Sequence, residues 1–277
     1  MVEDRYLSVA IDAAKAGGEI TSRYFADLAS AGVVGKASGD QSEGLVTKAD
    51  IESEQAIVSC IRNSFPDHHF LGEETHSDSV HSENLWIIDP LDGTNNFAHG
   101  IPHFAVSVAY FRNGRAHCGA ILNPATGELF TAVQGGGAFV TLAGNQTRVR
   151  VNSHQRLDQT IVATGFYYDR GAMMQATLAA IHDLFEQDIH GIRRFGAAAL
   201  DLVYVGLGRF GGFFEFTLSP WDFAAAALFV REAGGTVTTC LGEPLPLDKS
   251  SVLATNGLLH EPTKSVVSKH AEQIIDL

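Results

Sequence analysis

A layered α/β fold is the architecture this sequence predicts, and three observations carry the expectation. An amphipathic helix opens the chain, with Leu7, Ile11, Ala14, Gly18, Thr21, Phe25 and Leu28 recurring at three- and four-residue spacing. From Phe104 to about Val140 the pattern changes to short β-rich runs separated by turn residues, which reads as an antiparallel meander. After Val151 strands and helices alternate, so that helices are expected on both faces of a sheet.

The elements follow in order. A polar loop from Gly32 to about Gly44, carrying Lys36, separates the first helix from a second that starts at Asp50. That second helix should turn Ile51, Ile57, Ile61 and Phe65 inward and end at Pro66. In the meander, Asn113-Gly114 is a strong hairpin turn, with further turns at Asn123-Pro124 and Thr126-Gly127. Gly135-Gly136-Gly137 lacks the Lys-Ser/Thr ending of a phosphate loop and reads as a sheet-edge turn. Beyond it come strands near 160–164, 189–193, 213–216, 236–239 and 252–254. Helices are expected over 172–185, 196–207 and 222–233 and at the end of the chain. No linker, repeat or low-complexity stretch interrupts them, so residues 1–277 read as one domain in two halves, 1–150 and 151–277.

Composition bounds the function classes. Hydrophobic residues make up 45% and charged residues 18%, as in an ordinary globular enzyme. A formal net charge of −13 argues against nonspecific binding of nucleic acid. It also sits awkwardly with an anionic substrate unless a bound metal reverses the sign locally. The three cysteines are far apart and form no CxxC pair, which argues against a disulfide framework or a zinc knot and favours a reducing compartment. With no leader-like amino terminus and no apolar run of membrane-spanning length, a cytoplasmic location is expected. The twelve histidines show no HxxH or HExxH spacing and read as ordinary surface or core residues.

The chemistry is concentrated in Trp86-Ile87-Ile88-Asp89-Pro90-Leu91-Asp92-Gly93-Thr94-Asn95-Asn96-Phe97. An apolar strand delivers two carboxylates to a tight turn. Hard divalent cations such as Mg²⁺ take such oxygen ligands and share them with substrate phosphate, while a Gly-Thr turn offers N–H dipoles and a hydroxyl to the anion. Two more acidic sites look built to converge on it: Gly72-Glu73-Glu74 after Phe70-Leu71, and Trp221-Asp222 at the start of an alanine-rich helix. Taken singly, a loop glutamate pair is usually solvated, and Asp50 and Asp222 read as helix caps.

Together these segments resemble the inositol monophosphatase family of Mg²⁺-dependent phosphatases. Both family signatures are present, Trp86–Phe97 and the stretch from Trp221-Asp222-Phe223 to Ala233-Gly234-Gly235. Gly72-Glu73-Glu74, the Gly135–Phe139 turn and Arg193 leading into Gly196–Leu200 match in the same order, and the resemblance runs over roughly residues 5–270. It implies a sugar-phosphatase-like sandwich with αβαβα layers. It also implies two to three Mg²⁺ ions, held by Glu73, Asp89, the Leu91 carbonyl, Asp92 and Asp222. Asp89 would bridge two of them about 3.5–4 Å apart. Thr94 and Glu73 would orient an attacking water, with Asp50 behind Thr94. Phosphate would rest on the Gly93 and Thr94 amides, and Ala198 and Glu215 would face the alcohol. Lys36 falls in a loop that approaches the site in the family.

Departures from the family pattern at Gly44, Gly211 and Ser219 touch no metal ligand but bear on sugar preference. The implied activity is hydrolysis of inositol monophosphates and related polyol phosphates, with lithium sensitivity and a homodimer. The alternatives are a phosphatase of fructose bisphosphate, adenosine bisphosphate or histidinol phosphate, or a partner of the transcription machinery in which catalysis is dispensable.

Overall fold

The structure, a computed structural model, describes residues 4–32, 34–35 and 45–274. Lys36 and Gly44 lie outside the described residues. In chain order the first half contains α1 (Arg5–Ala26), α2 (Leu28–Ala31), β1 (Val34–Gly35), β2 (Leu45–Val46), α3 (Lys48–Ser64), β3 (His69–Gly72), β4 (Asn84–Asp92) and α4 (Thr94–Ala98). The meander follows as β5 (Ala105–Arg112), β6 (Arg115–Asn123), β7 (Glu128–Val133), β8 (Gly137–Leu142) and β9 (Asn145–Val149). The second half holds β10 (Ile161–Thr164), α5 (Ala172–Phe185), β11 (Gly191–Arg193), α6 (Ala198–Gly206), β12 (Gly212–Leu218), α7 (Pro220–Glu232), β13 (Thr236–Thr238), β14 (Ser250–Thr255) and α8 (His260–Ala271).

The strands build two principal sheets. One runs β3-β4-β5-β6-β7-β8-β9 and is antiparallel except for the parallel β3–β4 pair; the other runs β11-β10-β12-β14-β13. Side chains on a strand alternate between faces, and here both faces are covered. Trp86 and Ile88 point into one apolar cluster with Val9, Ala13 and Ile57 from α1 and α3. Leu85 and Ile87 point the other way, into a cluster shared with α6, α7 and the second sheet. Phe213 faces that central cluster, whereas its neighbour Phe214 packs with Leu184 and Val267 under α5 and α8. The layers are therefore α1/α3, seven-stranded sheet, α6/α7, five-stranded sheet and α5/α8, the αβαβα sandwich expected. The central cluster draws on both halves of the chain, from Leu85 to Ala254.

Local sequence explains most boundaries. Asp4 caps α1 by accepting from the Tyr6 and Leu7 amides. Asn113 and Gly114 both take positive φ, as a two-residue hairpin turn of this hand requires. Gly135–Gly137 is the β7–β8 turn, and its amides donate to the Glu232 carboxylate at the end of α7. The second helix corrects one expectation. Ile51 is 38% exposed, and the inward face at that end of α3 is polar, made of Asp50, Ser53 and Glu54.

Helix α7 is buried almost all round, from Phe223 to Val230, because it lies between the two sheets. Its alanines allow that closeness: a Cβ placed on Gly119 of β6 would stand 3.1 Å from both Cα and Cβ of Ala225. Among the described residues, no helix is long and apolar enough to cross a membrane. Replacing Gly119 with Val should force α7 off the sheet and cost about 1–3 kcal/mol. Because α7 carries Asp222, the phosphatase activity that the resemblance implies should fall with the melting temperature, and an unchanged melt would contradict the packing described.

Candidate metal and phosphate site

Sheet topology brings the acids together. β3 and β4 run parallel, with Gly72 in register with Ile88, so Glu73 emerges from the sheet edge beside Asp89. Asp89 and Asp92 are three residues apart and in a regular strand would face opposite sides. Opposite them on β5, however, Asp89 pairs with Ser107 and Asp92 with Ala105, only two residues apart. One extra residue is thus taken up at Pro90-Leu91, a β-bulge that turns both carboxylates to one side. Asp222 arrives from the central layer in the first turn of α7, after Pro220 at a position where proline suits a helix start.

The result is a set of like charges, buried at Asp89 and Asp92 and half-buried at Glu73 and Asp222. Asp89 is 1% exposed, and its carboxyl is pushed well above the usual range by burial and then by the charges of Glu73, Asp92 and Asp222. Three sequence-distant stretches therefore meet around Asp89. Asp92 is raised to about 7, chiefly by burial; the Ala199 and Ala198 amides donate to it at 2.8 and 3.1 Å and partly offset that rise. These are first-turn amides of α6, which has no side-chain cap of its own, so Asp92 serves as one from another element. Asp222 accepts from the Ser219 amide at 2.7 Å, the cap expected from sequence, yet it lies third in its helix rather than starting it.

Asp50 likewise sits third in α3. It accepts from the Thr47 amide and hydroxyl at 2.7 and 2.6 Å and from the Thr94 hydroxyl at 3.2 Å. Burial raises it to about 7 against those hydrogen bonds, with Glu73 and Glu74 adding to the rise. Thr94 Oγ1 also lies 3.1 Å from the Leu91 carbonyl. Gly93 takes φ +93°, and a Cβ there would come within 3.1–3.2 Å of the His103 carbonyl, Ala197 and the Gly196 carbonyl, so glycine is required. Glu215 on β12 is 8% exposed, with its carboxyl raised by burial and by Asp222 and partly lowered by Arg194. It lies so close to Gly165 that any side chain at that position would collide with its carboxylate. Ala198 reaches the site through its backbone amide on Asp92.

Sequence reasoning missed Glu54. Fully buried on α3, it accepts from the amides of Glu74 and Thr75 at 2.9 Å each, from the Thr75 hydroxyl and from His76 Nδ1 at 2.8 Å. It thereby fixes the loop that carries Glu73. The signal was present: Asp50, Ser53, Glu54, Ile57 and Ile61 form one helical stripe that begins polar and ends apolar. Asn96 was missed too; its Nδ2 donates to the His103 and Phe195 carbonyls and ties α4 to the segment before α6. Another grouping of donor atoms, His182, Asp183 and Glu186, lies at the exposed end of α5, where Asp183 accepts from His270 and docks α8.

The donor set fits a hard divalent cation. It consists of carboxylate and carbonyl oxygens, and the charges of His103 at Asp92 and Arg194 at Glu215 offset only part of the acidity. A consequence follows for the metal-free protein. Asp50 and Asp92 keep their protons in the folded state up to about pH 7, whereas the unfolded chain releases them near its ordinary value of about 4. Folding stability should therefore fall as pH rises from about 4 to 7. EDTA-treated protein is expected to melt lower at pH 8 than at pH 5.5, and Asp92→Asn should flatten the difference. Glu54→Gln should lower the melting temperature and raise the Mg²⁺ concentration needed for half-maximal activity; an unaltered Mg²⁺ requirement would deny Glu54 its hold on the Glu73 loop.

The profile described as the inositol monophosphatase family matches residues 3–275. The inositol-1-monophosphatase of Rhizobium meliloti is 38% identical over 274 residues, 97% of this chain and 98% of the relative. The Nus factor SuhB of Pseudomonas aeruginosa is 39% identical over 269 residues, 95% and 96% of the two chains. The crystal structure of the extragenic suppressor protein SuhB of Bartonella henselae superposes with a TM-score of 0.87 at 37% identity, covering 96% of this chain and 99% of that one. The chain belongs to the inositol monophosphatase family.

Proposed function

We propose that the protein is a Mg²⁺-dependent phosphomonoesterase that hydrolyses inositol monophosphates and related sugar or polyol phosphates. One observation carries the reading: Glu73, Asp92 and Asp222 all act on the buried Asp89, next to the Gly93-Thr94 turn. Asp89, Asp92 and Asp222 would hold one ion, and Glu73, Asp89 and the Leu91 carbonyl a second; the Lys36 loop, with a third ion, belongs to the same proposal. Bound Mg²⁺ would supply Lewis acidity toward the phosphoryl group and lower the pKa of a water toward neutrality.

The chain's own residues position the reactants. Thr94 has one hydroxyl proton, directed at the Leu91 carbonyl and Asp50. Towards any further partner Thr94 is then an acceptor. A water bound to it must donate, which leaves the water's lone pair for phosphorus, and Glu73 would accept the water's other proton. Asp50 holds Thr94 in that role and does not itself touch substrate. The amides of Gly93 and Thr94, at the start of a helix, would cradle the phosphate. Direct attack by water requires no phospho-enzyme. Glu215 would bind a hydroxyl of the alcohol, with Ala198 beside it.

Support for the substrate class comes from relatives bearing the inositol-1-monophosphatase name over nearly the full length. Phosphate release should be measured with inositol monophosphate, fructose bisphosphate, adenosine bisphosphate and histidinol phosphate. The inositol ester should be preferred, and preference for a nucleotide would reject the assignment. Asp89→Asn and Asp222→Asn should each abolish turnover while the protein stays folded, and millimolar Li⁺ should inhibit.

A homodimer is part of the proposal. Ile101 and Phe195 are 48% and 38% exposed and flank Asn96, an apolar pair suited to cover by a second copy. Sedimentation of an Ile101→Glu variant tests it. A role beside the transcription machinery is supported only by relatives named Nus factor SuhB. An Asp92→Asn protein that restored all cellular function would move that role to first place.

A further inference from the structure

Two ionisable side chains, one buried and one half-buried, pack against the site without belonging to its donor set. Asp201 lies in the first turn of α6 and is 1% exposed; His103 lies between α4 and β5, with its side chain 16% exposed. His103 Nε2 and Asp201 Oδ1 are 3.8 Å apart, too far for a hydrogen bond, and neither atom has a hydrogen-bond partner. A buried carboxylate oxygen without a donor works against folding. It needs a compensating purpose, and the surroundings of this one supply it.

Those surroundings are the Asp92 side of the metal and phosphate site. The amides that hold Asp92 belong to Ala198 and Ala199, in the same helical turn as Asp201. The His103 carbonyl accepts from Asn96 and packs against Gly93, directly after Asp92. The charges of both side chains reach Asp92, Asp201 opposing its ionisation and His103 favouring it. Burial raises the Asp201 carboxyl above the usual range, and the neighbouring His103 and Arg194 together with the Gly196 amide offset that rise only in part. An anion placed behind a metal ligand strengthens cation binding without touching the cation, and such outer groups commonly matter ten- to a hundredfold.

We propose that Asp201 is a positioning residue that raises the affinity of the Asp92 side of the site for its divalent cation. The proposal rests on the metal-binding reading above, and the test separates the two. Mg²⁺ binding to the full chain is measured by calorimetry without substrate, and melting temperature is measured in EDTA. Asp201→Asn, which keeps the shape but loses the charge, should weaken Mg²⁺ binding about tenfold. Its melting temperature in EDTA should be equal to or above that of the parent, because one of several repelling buried charges has gone. Asp201→Glu, which keeps the charge, should bind Mg²⁺ within about threefold of the parent. In activity assays the Asn variant should lose mainly in the Mg²⁺ concentration required rather than in kcat at saturation.

A purely structural aspartate gives the opposite signs: a lower melt in EDTA with Mg²⁺ binding intact, and that result overturns the inference. Failure of the parent protein to bind Mg²⁺ at all overturns the metal reading and this inference together.

Discussion

Repulsion among carboxylates is the constraint around which the rest of the molecule is arranged. Asp89, Asp92, Asp222 and Glu73 face one another where burial makes screening weak, and Asp50 and Glu215 stand close by. Left to themselves such groups would move apart or take up protons. Four of them are instead tied by hydrogen bonds to backbone: Asp89 to the Leu91 amide, Asp92 to the first turn of α6, Asp222 to Ser219 and Asp50 to Thr47. The fold thus gathers oxygen donors of the kind a hard divalent cation takes.

The layered architecture makes this possible because each layer contributes a helix start or a strand end at the same edge. β3 and β4 end there in parallel, α6 and α7 begin there, and α3 presents its polar first turns from the outer layer. The packing that fixes these ends lies well away from the acids. Helix α7 is wedged between two sheets, and its alanines and Gly119 of β6 set how deeply it sits. The position of Asp222 is thus decided largely by apolar contacts along the rest of its helix. Glu54 plays the corresponding part for Glu73, holding a loop through a buried charge that accepts from four donors.

Much of this was legible in the amino-acid sequence, for local reasons. Turn chemistry at Asn113-Gly114, alternating apolar runs such as Leu85–Ile88 and the long helix at 172–185 depend on neighbours a few residues apart, and periodicity records those neighbours directly. The acids that would touch metal stand inside long signature segments whose residue types are set by chemistry. A metal and phosphate site could therefore be expected before any contact was known.

Tertiary structure alone decided which polar groups go inside and which way they point. Nothing local says that Ile51 faces solvent while Glu54 is fully buried, because that depends on a loop arriving from residues 74–76. Alternation along β4 would set Asp89 and Asp92 on opposite faces; the bulge, seen only in their pairing with β5, places them together. Asp201 reads in sequence as one acid in an apolar helix, and its closeness to His103, 98 positions earlier in the numbering, exists only once α6 docks beside the site. Short-range pattern specifies elements and donor chemistry, whereas the burial of a charge is a property of whatever packs against it from elsewhere in the chain.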